Sequence, residues 1–258
     1  MIEKFQSITN KLTSVAAIVL ILVVWQIVSS AGIVEGFMLP SPVQTFKAFV
    51  EDVPLLMQHS AITLSEAFLG LFFGILFAFV TAVLMDHFDT IYKAFYPVMV
   101  LTQTIPTVAI APLLVLWFGY EMMPKVILVV ITTFFPIAVG MLNGFRSADT
   151  DAINLMRAMG ANKLQIFLNI KLPGALSQFF AGLRIAVSYA VVGAVISEWL
   201  GGFGGLGVYM TRVKKAFAFD KMFAVIFLVS AISLLLMKGV DVLQKKAMPW
   251  EKENDKND

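Results

Sequence analysis

Charged side chains inside apolar runs are the places where this sequence could do chemistry, and the ones that stand out are Glu66, Arg184 and Glu198. An ionised group at membrane depth is costly unless it faces protein or water, so each is expected to hold a structural ion pair or to line a pathway. Arg184 and Glu198 are fourteen residues apart, nearly four helical turns, so one helix would carry both on one face. That face either lines a pathway or packs against a partner helix. An unpaired Arg there would cost at least about 2.5 kcal/mol, which leaves a structural ion pair or carbonyl contact, or direct contact with a passing solute.

Other residue types offer little covalent chemistry. The 258 residues include no Cys and only two His, which excludes disulfides, Cys-ligated zinc, iron–sulfur clusters and thiol nucleophiles. His59 and His87 are expected at opposite membrane faces, unable to share a metal or a triad. No catalytic residue, metal site or cofactor is expected. Gly202, Gly204 and Gly207 in "GGFGGLG" have a GxGxxG spacing, but no strand precedes them and no βαβ unit surrounds them, so a Gly-rich re-entrant turn at the outer face fits better. No G-x-x-x-x-G-K-[ST] pattern occurs, and without it the chain has no P-loop of its own.

The elements that must position these residues follow from composition. Hydrophobic residues make up 59% of the chain and charged ones 14%, with a mean hydropathy of +0.86, which leaves too little polar surface for a water-soluble domain. A hydrocarbon core about 30 Å thick needs about 20 helical residues. Six segments approach that length: 14–34, 60–85, 93–118, 124–143, 174–197 and 221–241. The fold class expected is therefore an all-α, polytopic membrane protein with about six transmembrane helices. Pro97, Pro106, Pro112 and Pro136 interrupt the third and fourth segments, and the third is the one most exposed to breakage. Gly70 and Gly74 in the second form a small-xxx-small pair suited to close helix contact.

Basic residues orient the chain, because Lys- and Arg-rich loops stay cytoplasmic. With the N-terminus inside, the cytoplasmic side holds Lys4, Lys11, Lys93, Arg146, Arg157, Lys163, Lys171, Lys238, Lys245, Lys246, Lys252 and Lys256, twelve in all. The outer side holds six: Lys47, Lys125, Arg212, Lys214, Lys215 and Lys221. The four from 212 to 221 sit in one short outer loop, against the trend. Residues 1–13 read as a cytoplasmic tail, 14–245 as the transmembrane domain with 149–173 as its cytoplasmic loop, and 246–258 as a disordered cytoplasmic tail. A short surface helix is expected after Ser41-Pro42, where Val43, Phe46, Phe49 and Val50 recur at helical spacing. A net charge of +2 without basic runs suggests no nucleic-acid partner.

The cytoplasmic stretch 149–173, "DTDAINLMRAMGANKLQIFLNIKLP", is patterned as a helix–Gly–helix hairpin. Ile153, Leu155, Met156 and Met159 give a first helix an apolar side, with Asp149 and Asp151 near its N-terminus and Gly160 at its end. A second helix begins near Asn162, with Leu164, Phe167, Leu168 and Ile170 on its apolar side, and Pro173 is expected to stop it.

This hairpin resembles the cytoplasmic loop E-A-A-x-x-x-G-x9-I-x-L-P of permease subunits of binding-protein-dependent ABC importers. Gly160, nine residues, then Ile170, Lys171, Leu172 and Pro173 preserve its spacing, while Asn154, Leu155 and Met156 replace its Glu-Ala-Ala head. "PSP" at 40–42, "IPTVAIAPLLVLWFG" at 105–119, "AGLRIA" at 181–186 and "SEWLGGFGGLG" at 197–207 look like the nitrate, sulfonate, taurine and thiamine-pyrimidine branch. The resemblance implies a multi-pass subunit of the bacterial cytoplasmic membrane, not an enzyme itself, with both termini inside. It implies coupling through Asn154, Leu155, Met156, Arg157, Ala158, Met159 and Gly160, supported by Ile170, Leu172 and Pro173. Its partners would be an ATP-binding subunit at the cytoplasmic face, an extracytoplasmic substrate-binding protein, a second permease copy and the lipid bilayer. The solute implied is a thiamine-related pyrimidine or a sulfonate- or nitrate-type anion. Of the competing readings, an ion-gradient-driven carrier calls for inverted repeats and midplane carboxylates, neither of which the sequence shows, and a membrane scaffold leaves the hairpin without a purpose.

Single Cys residues at Ala158 and Val208 are expected to react with an impermeant thiol reagent from opposite faces. Labelling of both from outside intact cells would contradict this orientation.

Overall fold

The computed structural model describes the backbone of residues 2–32, 35 and 38–250, and the side chains of Thr13 and of those residues from 16 onward. Every regular element among them is helical: α1 (Ile2–Ser30), α2 (Pro42–Glu51), α3 (Val53–His87), α4 (Asp89–Thr104), α5 (Thr107–Phe118), α6 (Met122–Arg146), α7 (Thr150–Ala158), α8 (Lys163–Ile166), α9 (Leu172–Trp199), α10 (Leu206–Lys215) and α11 (Phe219–Ala247). A π-helical turn, Phe167–Lys171, joins α8 to α9. Four helical stretches are long and apolar enough to cross a membrane: α3, α6, the run Lys163–Trp199 and α11. The pair α4 and α5 makes a fifth if counted as one broken span, and α1 adds a shorter apolar stretch, Ala16–Ser30.

Proline chemistry explains the broken span. Pro106 forces the preceding Ile105 into an extended conformation (φ −82°, ψ 121°), as proline does to its predecessor, and α4 and α5 diverge by 98°. Pro97, Pro112 and Pro136 stay inside helices. Pro173 does not stop its helix, contrary to the sequence expectation. The wide π turn, in which the Leu172 N–H donates to the Phe167 carbonyl, leads straight into a helix whose first turn takes the proline, where a missing N–H costs little.

Several boundaries also move. Residues 2–13, read as a tail, form the start of α1, and the end of the first expected span, 33–34, lies outside the described residues. Lys245 and Lys246 belong to the last turn of α11 and Met248 is buried, while 251–258 of the expected tail lie outside the described residues. The basic cluster is not a loop, because Arg212, Lys214 and Lys215 end α10 and Lys221 lies in α11. Cations at a helix C-terminus complement its dipole, which accounts for three of the four. Val208 is buried, whereas Phe203 is 81% exposed, so position 203 is the more accessible of the two to a thiol reagent.

The chain forms two compact units. The first comprises 1–57 and 209–228. Within it the Trp25 indole donates to the Pro40 carbonyl at 3.0 Å and stacks on Phe227. Helix α2 begins with a capping box in which Ser41 and Gln44 satisfy each other's backbone N–H, and it exposes Val43, Phe46 and Val50. Asp52 accepts hydrogen bonds from Lys221 and the Tyr209 hydroxyl. Burial pushes the Asp52 carboxyl up, but the bonds from Lys221 and Tyr209 outweigh it and hold it below the usual carboxylate range. Burial pushes the Tyr209 phenol up, and Asp52 adds to that.

The second unit comprises 58–208 and 229–258, and its most extensive helix contact is α6 on α9. Small residues bring the two backbones together. A Cβ at Gly140 would stand 2.6 Å from the Gln178 carbonyl oxygen, and one at Gly144 2.6 Å from the Ala175 Cα; Gly182 meets the Pro136 carbonyl in the same way. Gly70 and Gly74 likewise admit Val129 and Thr133 of α6 against α3. Such close approach is how helices associate where lipid supplies no hydrophobic drive.

Gly144→Leu should therefore force α6 away from α9. A cost on the order of 1–3 kcal/mol is expected for overpacking, read as a lower melting midpoint of the detergent-solubilised protein. A Gly174→Leu control, at a position with nothing within 4 Å, should change the midpoint far less.

Candidate coupling and pathway sites

At one end of the second unit, α6 passes through the hairpin into α9. Asp149 caps α7 by accepting from the N–H groups of Asp151 and Ala152. The helix ends in a Schellman arrangement: Gly160 N–H donates to Arg157 and Ala161 N–H to Met156, each at 3.0 Å. Gly160 has φ +84°, a left-handed conformation that side chains disfavour. Asn162 and Gln165 then form a second capping box. The hairpin is thus internally tied, although no residue of α7 is buried. Leu155, Met159, Leu164 and Leu168 are all at least half exposed. Ile153, Met156, Phe167 and Ile170 are half-buried, so only part of the expected apolar face turns inward. Asn154 and Arg157 meet at 3.4 Å, and Ala158 is exposed. Lys171, just before Leu172 and Pro173, anchors the second arm through both carboxylate oxygens of Asp86 at 2.8 Å.

Arg184 and Glu198 do not meet. Arg184 donates to Asp241 at 2.8 Å and to Gln244 at 3.1 Å, tying α9 to α11. Glu198 is fully buried, accepts from the Thr63 hydroxyl at 2.7 Å and from the Gly207 N–H at 2.6 Å, and interacts with Glu66. Glu66, also buried, receives Lys125 at 2.6 Å. Lys125, an outer-side charge at the edge of the expected span 124–143, stands in the first turn of α6, which begins at Met122, with its side chain 6% exposed.

The glycine-rich turn closes over this cluster. Gly205 N–H donates to His59 Nδ1 at 2.9 Å and Leu206 N–H to the Thr63 hydroxyl at 2.9 Å. A Cβ at Gly205 would collide with the Glu198 carboxylate, and its φ is +116°, so this glycine is required twice over. The nucleotide-like spacing serves backbone packing on a carboxylate. His59 stands near one end of α3 and His87 at the other, about 42 Å apart along the axis at 1.5 Å per residue. Sequence reading missed Lys125 and the loop donors. The signal for Lys125 was available, since Glu66 needed a cation and Lys125 follows Pro124 at the start of the fourth apolar segment.

Residues 70–248 match a family described as binding-protein-dependent transport system inner membrane component. The chain is 38% identical over 223 residues to a "Probable ABC transporter permease protein" of Haemophilus influenzae, spanning 86% of this chain and 91% of that protein. It is 37% identical over 235 residues to the "Formylaminopyrimidine transport permease protein ThiX" of Halalkalibacterium halodurans, spanning 91% and 94%. In fold it is similar to a chain of the MetNI methionine ABC transporter solved in inward-facing conformations, with a TM-score of 0.68 over 76% of this chain and 97% of that one at 20% identity.

The Glu66–Lys125 pair predicts non-additive mutations. Lys125→Met leaves a buried carboxylate uncompensated and should cost about 3–5 kcal/mol, while Glu66→Gln with Lys125→Met should recover much of that loss. Thermal midpoints of the single and double variants measure it; strict additivity would contradict the pairing.

Proposed function

The chain belongs to the binding-protein-dependent family of inner-membrane transport components and is the permease subunit of an ABC importer, and we propose that residues 149–173 are the element through which its ATPase drives it. The subunit is multi-pass and hydrolyses nothing itself; it works with a separate ATPase and an external binding protein. The observation that carries the proposal is the hairpin's exposed apolar set, Leu155, Met159, Leu164 and Leu168, on a segment capped at each helix start and tied at Gly160. An exposed apolar surface on a stiff element fits a groove in a partner.

In this reading residues 154–160 seat in the ATPase, and Ile170, Leu172 and Pro173 begin the arm that carries its motion. Closure of an ATPase pair on ATP displaces the hairpin. The run from Lys163 to Trp199 is helical throughout and spans about 55 Å, so displacement at Leu164 reaches the Glu198 end as a rigid-body shift, giving alternating access. Glu66 and Glu198 act there as structural groups that hold the glycine turn, and Arg184 as the strut to α11. Two copies of the chain form the pathway, with 14–245 as the membrane domain and both termini cytoplasmic, as the twelve-to-six basic asymmetry favours. The solute is a thiamine-related pyrimidine or a sulfonate- or nitrate-type anion; 37% identity to a formylaminopyrimidine permease favours the first.

Gly160→Val should leave membrane insertion intact while lowering uptake per ATP hydrolysed, and Leu155→Arg should weaken capture of the ATPase subunit. Normal coupled uptake by Gly160→Val would remove the coupling role from this hairpin.

A further inference from the structure

A cavity of about 180 Å³ opens where the broken span bends, between α4–α5 and the facing helices α6 and α9. Thr102, Gln103, Thr107, Thr132 and Tyr189 line it, and Gly193 lets α9 come beside Thr132. Polar side chains gathered at the depth of membrane-spanning helices need water, protein or a solute to face. The Thr102 and Thr132 hydroxyls donate to their own helix, to Met99 and Val129 carbonyls at 2.6 and 2.9 Å, so their oxygens remain able to accept. The Gln103, Thr107 and Tyr189 side chains make no hydrogen bond to another described residue. None of the ten residues lining the cavity is charged. The buried or half-buried cations of this unit are engaged elsewhere, Lys125 with Glu66, Lys171 with Asp86 and Arg184 with Asp241.

We propose that this cavity is where the transported solute contacts the subunit, and that its lining selects an uncharged, planar, hydrogen-bonding ring over an anion. An anion entering it would lose hydration and gain no cation in return. A neutral aminated heterocycle loses much less and recovers it here. A carboxamide such as Gln103 pairs with an amino group beside a ring nitrogen through two parallel hydrogen bonds, as Gln does on an adenine edge. The Tyr189 ring offers a stacking face and its hydroxyl both donates and accepts. An acyl chain, the alternative occupant in a bilayer, would leave Gln103, Thr107 and Tyr189 without a hydrogen-bond partner.

This inference rests on the importer reading, and the chain's lack of Cys allows the two to be tested apart. In the assembled transporter, Gln103→Cys and Thr132→Cys are reacted with a small methanethiosulfonate, with Phe203→Cys as a control outside the cavity and Thr107→Cys as a substitute if either fails to assemble. The probes are formylaminopyrimidine, nitrate and an aliphatic sulfonate. At about ten times its Kd, formylaminopyrimidine is expected to slow labelling in the cavity about tenfold, since protection follows occupancy, and to leave position 203 unchanged. Protection by nitrate or the sulfonate in place of the pyrimidine overturns the solute class. Failure of all three to protect, or of the reagent to reach the cavity, overturns the site. ATP-dependent uptake by the same complexes reports separately on the importer reading, so loss of uptake with protection retained would fail that reading and leave the cavity assignment standing.

Discussion

The near contact of the α6 and α9 backbones is the constraint on which the second unit depends. Gly140, Gly144 and Gly182 let backbone atoms of one helix lie where a Cβ of the other would otherwise stand. In a bilayer the surrounding lipid is as apolar as the side chains, so burial contributes little and close packing becomes the attraction that remains. The hairpin joins the end of α6 to the start of α9, so this contact also fixes the two points from which its arms leave.

The far end of the same pair is closed by charge. Lys125 on α6, Glu66 on α3 and Glu198 on α9 are all buried, where each alone would be prohibitively costly. Lys125 neutralises Glu66, and Glu198 collects Thr63 and the Gly207 N–H. Such a cluster favours geometry over net stability, because the attraction mostly offsets desolvation. It specifies how three spans and one glycine turn meet. The hairpin marks one limit of α9 and this cluster the other.

Between those limits lies the bend at Ile105–Pro106. A continuous helix through 89–118 would satisfy its own backbone and leave no hollow; the 98° turn creates one and places hydroxyl and amide groups around it. Irregular backbone at membrane depth is tolerated where it lines a cavity rather than lipid. An importer subunit needs a place where solute can pass without being held strongly, and an uncharged polar lining is suited to that.

Much of this was legible in the residues alone. Apolar runs of bilayer length declared an all-α membrane protein, Pro106 marked the break, Ser41-Pro42 marked α2, and G-x9-I-x-L-P marked the hairpin with its glycine turn. These depend on local physics: proline's missing N–H, glycine's freedom at positive φ, and the length a helix needs to cross hydrocarbon. Partners were not legible. Arg184 and Glu198 share a helix face by spacing, yet one bonds to α11 and the other to α3 and the glycine turn, because fourteen residues separate them by about 21 Å along the helix and bring them beside different neighbours. By sequence Lys125 counts as an outer-side charge, yet it is buried at the start of α6 against Glu66, and Pro173 reads as a stop although a π turn carries the helix through it. Which polar side chains meet across 57, 59 or 135 residues of chain depends on how helices rotate and slide against one another, and only the tertiary packing, through side chains as small as glycine's, decided that.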